Sequence, residues 1–196
     1  MKSTYKDFRF LIVDDNEFTK VMKEHESKFY EEVSGLNFTN VFSDDEKKAL
    51  RTLNKEYSDN TTLCVKVTDS NGAFVGWCYG DQYDRLTFTM HSSFILPDYR
   101  RKGIYSALVE FTLEWAQQKG FVKVVSNHVT TNNSVIIPKL KQGFVISGLN
   151  MDERFGMIVN LSYFINTNLK AVNKYRVSSK IEDKKVLGFF DYPFLH

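Results

Sequence analysis

The sequence predicts an α/β (α+β) fold: a mixed, mostly antiparallel central sheet of about six to seven strands, flanked by helices. Three observations carry this expectation. Residues 61–96 read as a meander of β-rich runs. The periodicity then switches to helical over residues 104–119, between Gly103 and Gly120. A nearly continuous apolar run, "FVKVVSN", follows at once and reads as a buried strand beside the meander.

The elements follow in order. "DFRFLIV" is a first strand. "DNEFTKVMKEHESKFYEEV" sets Phe18, Val21, Met22, Phe29 and Val33 near helical spacing among charges, and predicts a helix. "SDDEKKALRTLNKEY" predicts a second, because Ser43 and Glu46 match a capping box. "TLCVKVTDSNGAFVGWCYG" is two strands joined at Asn71-Gly72, a strong hairpin signal. "RLTFTMHSSFIL" is a third strand, long enough for a bulge at Ser92-Ser93. The helix from Ile104 to about Lys119 turns Ile104, Leu108, Phe111, Thr112 and Trp115 inward, and Gly120 stands where a C-terminal cap belongs. A strand at 121–127, a short helix in "NNSVIIPKLKQ", and a closing strand pair in "GFVISGLNM" and "GMIVNLSYFI" complete the order. The strand ending near Leu96, the helix and the strand from Phe121 form a right-handed crossover with two parallel strands. Residues 1–165 are thus expected to form one domain, and 166–196 a C-terminal extension. The apolar end of that extension, "VLGFFDYPFLH", is expected to pack on the domain or on the partner subunit of a homodimer.

Composition narrows the function classes. The chain has 196 residues, 42% hydrophobic, 15% aromatic and 26% charged, with a formal net charge of +2. That charge does not indicate a nucleic-acid or membrane partner. No apolar run is long enough to span a bilayer, and the N-terminal segment is too acidic for a secretory signal. Cys64 and Cys78 have neither metal-binding nor redox spacing, and read as small hydrophobes within strands. These features predict a cytoplasmic protein without a metal.

The stretch "FILPDYRRKGIYSAL" carries the functional signal. Arg100, Arg101, Lys102 and Gly103 stand where a helix begins, and a helix start presents unpaired N–H groups and partial positive charge. Cations placed there are unfavourable by roughly 0.3–1 kcal/mol unless an anion offsets them. Glycine permits close approach of the backbone, and arginine offers forked donors for phosphate oxygens. The stretch therefore reads as an anion site at the carboxyl end of a sheet strand. Nucleoside-triphosphate and dinucleotide glycine patterns are absent.

The run Arg100-Arg101-Lys102-Gly103-Ile104-Tyr105 resembles the acyl-CoA loop of the GNAT N-acetyltransferases, [Q/R]-x-x-G-x-[G/A], with Tyr105 in place of the small residue. Asn132 and the Gly143-Phe144 pair eleven residues later are similar to that family's spacing after the CoA strand. The resemblance is specific over residues 93–144 and extends in architecture from about 61 to 165. It implies a GNAT-like fold with a splayed parallel strand pair. It also implies acetyl-CoA as co-substrate, transferred to a primary amine by direct attack. The backbone of Phe94, Ile95 and Leu96 would pair with the pantetheine arm. Arg100, Arg101, Lys102, Gly103, Ile104, Tyr105 and Ser106 would hold the pyrophosphate, and Asn132 would touch the pantetheine or sulfur end.

Catalytic groups are less marked. His91 is the candidate base, with packing or solvation as the plain reading of a lone strand histidine. His128 is a weaker candidate. Family members often carry a tyrosine four residues before the "GF" glycine; here that position is Lys139, after Pro138, and the proline predicts a late start or a kink in its helix. Tyr105 either substitutes as the acid or, more plainly, packs beside the pantetheine. Asp81, Asp84 and Tyr79 belong to a segment that faces the acceptor or simply solvent. Trp77 and Phe88 read as core. A non-catalytic acyl-CoA-binding or regulatory module is the competing function. An RNA-binding role is disfavoured because the basic residues lack interleaved aromatics.

Overall fold

The computed structural model describes residues 3–30, 42–56 and 60–177. The run of 178–196 with its apolar tail, like the end of each of the first two expected helices, lies outside the described residues.

The chain opens with β1 (Thr4–Tyr5), a two-residue strand too short to show in the sequence, which turns back onto β2 (Phe8–Ile12). The helix α1 (Asp15–Tyr30) follows, then α2 (Asp44–Glu56). The expected capping box heads α2: the Ser43 amide donates to Glu46 Oε2 at 2.8 Å, and the Glu46 amide donates to Ser43 Oγ at 3.3 Å.

β3 (Thr62–Thr68), β4 (Phe74–Gln82) and β5 (Thr87–Ile95) form the antiparallel meander. The turn after β3 closes through Gly72, whose φ of +84° suits glycine. α3 (Ile104–Gln118) crosses over to β6 (Lys123–Val129), which lies parallel to β5. α4 (Asn133–Lys141), β7 (Val145–Asp152), β8 (Gly156–Phe164) and α5 (Thr167–Val177) complete the described chain. Among the described residues the sheet has eight strands in the order β1-β2-β3-β4-β5-β6-β8-β7, with β5–β6 as its one parallel pair.

Apolar burial explains the layering. Ile104, Leu108, Phe111 and Trp115 of α3 pack on Val65, Val67, Val75 and Phe88 of the sheet in one core. On another cluster Phe18 of α1 meets Cys64, Trp77 and Phe94. Trp77 and Phe88 are both fully buried, as their aromatic mass in strands implies.

Two local expectations are corrected. The bulge in β5 leaves His91 as the extra residue, because Tyr79 pairs with Ser92 while Gly80 pairs with Met90; it falls one position before Ser92-Ser93. α4 does not start late. It begins at Asn133 and carries the proline inside, so the hydrogen bond that a residue 138 amide would make is absent from a nine-residue helix. The helix closes instead on Gly143, at φ +96°, with the Phe144 amide donating to the Lys139 carbonyl at 3.1 Å.

Candidate active site

β5 and β6 pair over only three positions, Thr87 with Lys123, Phe88 with Val124, and Thr89 with Val125. Beyond Thr89 and Val125 both strands continue, β5 to Ile95 and β6 to Val129, without pairing to each other. The sheet is therefore forked, and strand backbone lines the opening. The bulge at His91 sits where the two strands part. An extra residue bends a strand and increases its twist, which accounts for the divergence.

Strand alternation decides which β5 groups face the opening. The Leu96 amide donates to the Val75 carbonyl at 2.9 Å, so Leu96 and, two residues back, Phe94 aim their backbone groups at β4. The Ser93 and Ile95 amides then face the fork. The Ile95 carbonyl accepts from Arg100 Nε at 2.8 Å. Of the three backbone positions expected to line the opening, the geometry keeps Ile95, gives Phe94 and Leu96 to the β4 ladder, and adds Ser93.

The basic turn lies just past β5. Pro97–Tyr99 form one short 3-10 turn, then the chain adopts positive φ at Arg101 (57°) and Gly103 (85°). Gly103 is the N-cap of α3 and no side chain caps that helix. Among the described residues, none of the amides of Arg101, Lys102, Gly103, Ile104, Tyr105 and Ser106 donates to a backbone carbonyl. A left-handed turn leading into an uncapped helix start is an anion nest, and Arg101 and Lys102 are exposed beside it. Tyr5 of β1 braces the turn: its hydroxyl lies 3.5 Å from the Lys102 carbonyl, and a Cβ at Gly103 would come within 2.4 Å of that oxygen. Arg100 clamps the end of β5 instead, its guanidinium 5.7 Å from the Phe94 ring centre.

Behind the nest lies a buried polar group of side chains. Tyr105 packs against the main core, and among the described residues its buried hydroxyl has no hydrogen-bond partner. Burial, with a further contribution from Cys78, raises its pKa. Lys139 turns inward from α4 and is 1% exposed. Burial brings its pKa down to about 7. Burial, then the Lys139 charge, pulls His128 down to about 3, so His128 is neutral; its Nε2 lies 3.0 Å from Ser126 Oγ. Asn132 caps the entry to α4 without a side-chain bond to its amides, and its Oδ1 accepts from Ser134 Oγ at 2.7 Å. Gln142 Nε2 donates to the Ser106 carbonyl at 2.6 Å and ties the end of α4 to the first turn of α3.

On the other side His91 is exposed and forms a pair with Asp81: Nε2 and Oδ1 lie 2.7 Å apart. The Tyr79 ring stacks on His91 at 5.7 Å and on Phe18 at 5.6 Å. Burial raises the Tyr79 pKa to about 12, with Asp81 and Asp15 contributing, so aromatic and acidic surface adjoin there. Asp84 does not join this group. Its Oδ1 accepts from the Leu86 and Thr87 amides at 2.7 Å each, which makes it a turn residue. Among the described residues there is no cluster of three or more His, Cys, Asp or Glu suited to a metal, and no helix long and apolar enough to cross a membrane.

The open edge of β5, the nest and the cations suit a ligand with an extended amide-bearing arm and a phosphate-rich end. Among the described residues the sheet is forked at its one parallel pair, with free amides at the start of the crossover helix. Residues 20–144 match the Acetyltransferase (GNAT) family, and the chain belongs to it.

Solved structures agree on the fold. A spermidine N-acetyltransferase from Vibrio cholerae, in complex with CoA and spermine, is similar at TM-score 0.59 and 15% identity, covering 82% of this chain and 96% of that one. A ribosomal-protein-S5-alanine acetyltransferase from Vibrio fischeri gives TM-score 0.63 at 12% identity over 83% and 96%. A putative phosphinothricin N-acetyltransferase gives 0.59 at 17% over 81% and 99%. No curated protein matches in sequence.

Proposed function

We propose that this protein is an acetyl-CoA-dependent N-acetyltransferase acting on a primary amine by direct attack in a ternary complex. The observation that carries the reading is the fork: β5 stops pairing with β6 after Thr89 and runs on to the unsatisfied amides of Arg101–Ser106. The Ser93 and Ile95 amides would hold the pantetheine arm. The nest, with Arg101 and Lys102, would hold the pyrophosphate. Asn132 and Tyr105 would border the arm, with Tyr105 as packing rather than acid, since its hydroxyl is buried and its proton firmly held. Acetyl-CoA supplies an activated acyl group. Catalysis of its transfer requires an attacking amine without its extra proton and donors at the developing oxyanion.

His91, oriented by Asp81, would accept the proton from the amine. Tyr79, Asp81 and Asp15 give the acceptor side an aromatic and acidic lining suited to an alkylammonium group. A polyamine or a peptide amino group fits that chemistry, and two of the similar structures are named for spermidine and for a ribosomal-protein alanine, the third for phosphinothricin. The two free, buried cysteines suit the cytoplasm.

A thermal melt with acetyl-CoA tests the cofactor, with Gly103→Asp alongside. At one hundred times its dissociation constant the ligand stabilises by about 2.7 kcal/mol, a shift of about 5–11 °C for a domain this size. The variant is expected to lose the shift. No shift at millimolar acetyl-CoA in a cooperatively melting protein would overturn the reading. A shift without CoA release in the presence of amines would point instead to a binding module.

A further inference from the structure

The amine of Lys139 is buried, and among the described residues no anionic side chain stands beside it. Removing an ammonium from water costs several kcal/mol unless an opposite charge meets it. Yet Lys139 is 1% exposed, and its surroundings are soft: Met90 Sδ lies 3.7 Å from Nζ, and the Phe144 ring centre 5.2 Å away. The titratable groups around it are Cys78 from β4 and His128 from β6, and Cys78 acts in turn on Tyr105 of α3. Among the described residues no carboxylate acts on it.

Its place in the fold matters as much as its isolation. Met90 is the first residue of β5 beyond the last β5–β6 pair, so the amine stands against the apex of the fork. Burial also brings its pKa to about 7, where both protonation states are accessible near neutral pH. A proton donor at that apex, without an internal counter-charge, is complementary to negative charge that appears there only during reaction.

We propose that Lys139 is the charge partner of the departing thiolate, and protonates it. This rests on the acetyl-CoA reading above. As the acceptor nitrogen bonds to the acyl carbon, the carbon–sulfur bond breaks and its electron pair stays on sulfur. Lys139 gives its proton to that sulfur, and the proton shed by the acceptor nitrogen passes to His91. One amide and one thiol result, and Lys139 recovers its proton from water when the thiol leaves.

The test uses the full chain with CoA itself, and needs no knowledge of the acceptor. The ultraviolet absorbance of the thiolate is followed against pH for CoA bound to the native protein and to Lys139→Met. Binding is checked separately by the thermal shift. The native protein is expected to ionise bound CoA at lower pH than the variant, by at least about tenfold in proton affinity, or one pH unit. With an amine that is acetylated, Lys139→Met should lower kcat by about 10²-fold or more at unchanged KM, the range of a lost general acid. The native fall in kcat above about pH 7 should vanish in the variant. If Lys139→Met does not fold, Lys139→Gln serves. Equal ionisation of CoA in two proteins that both bind it overturns this proposal and leaves the acetyltransferase reading standing. Failure of the native protein to bind CoA overturns both.

Discussion

Substitution of Gly103 by alanine probes the turn on which the ligand site depends, and the structure supplies two separable costs. The first is conformational. At φ +85° an L-residue occupies the left-handed region, which costs about 1–2 kcal/mol. The second is steric. The new Cβ would lie 2.4 Å from Tyr5 Oη and 3.2 Å from Tyr5 Cζ, an overlap of the kind that costs about 1–3 kcal/mol. Together they predict a loss of about 3 kcal/mol, or ~6–12 °C in Tm for a domain of this length. Tyr5→Phe separates the two, because it removes the hydroxyl and leaves the ring. Alone it should cost under about 0.5 kcal/mol, since its one hydrogen bond is stretched to 3.5 Å. In the Tyr5→Phe background, Gly103→Ala should cost only about 1–2 kcal/mol, which leaves a coupling of about 1–2 kcal/mol between the sites. Urea unfolding of the four proteins measures the cycle. An equal cost for Gly103→Ala in both backgrounds would refute the brace between β1 and the nest. No cost in either would refute the left-handed turn itself.

Three further outcomes are expected. Lys139 holds its proton less tightly folded, with a pKa of about 7, than unfolded, near 10.4 for lysine, so the unfolded state binds more protons between those values. Stability should therefore rise as pH is raised through that window, and Lys139→Met should stabilise by about 2–4 kcal/mol at or below pH 7 and by little near pH 10. Denaturant titrations across pH check it, and a gain independent of pH would count against a buried charge. Asp81→Asn should lower kcat with the best amine by about 10–10²-fold while leaving the acetyl-CoA melting shift intact, because it disorients His91 without touching the nest. A lost shift would place Asp81 in cofactor binding instead. Ser43→Ala should cost about 1 kcal/mol by thermal melting, the price of a lost capping box at α2.

Features that depend on one segment were legible in the sequence. The Asn71-Gly72 turn, the Ser43–Glu46 cap, and the inward face of α3 from Ile104 to Trp115 all follow from local spacing. The cations and glycine at 100–103 identified the nest, because a helix start has fixed electrostatics whatever surrounds it. Features that depend on a distant partner were not legible. Which amides of β5 face the fork is set by pairing to β4, so nothing local separates Ser93 and Ile95 from Phe94 and Leu96. Tyr5 reaches Lys102 across ninety-seven positions from a strand of two residues, with no local pattern to mark it. His91 and Asp81 come together through the same β4–β5 register; each was marked in the sequence, but not their pairing. Lys139 was marked by its position before Gly143-Phe144, and its burial had a signal of its own. It lies three residues after the buried Ile136, on the same side of α4, so helical spacing placed a lysine inward where charge ordinarily excludes it.

The bulge at His91 shows that a count, rather than a side chain, makes the cleft. Upstream of it, Thr87–Met90 are all buried in the sheet; downstream, the strand has parted from its parallel neighbour. A deletion of any one residue near position 91 would bring Tyr79 and Gly80 back into uninterrupted register with β5 and remove the bend. The two strands would then have no reason to diverge, and backbone groups now open to a ligand would satisfy each other. In such a chain every loop residue could remain and the sheet would be more regular, yet the pocket would have been zipped shut. For this protein the length of one strand is as much a functional parameter as the identity of any residue in it.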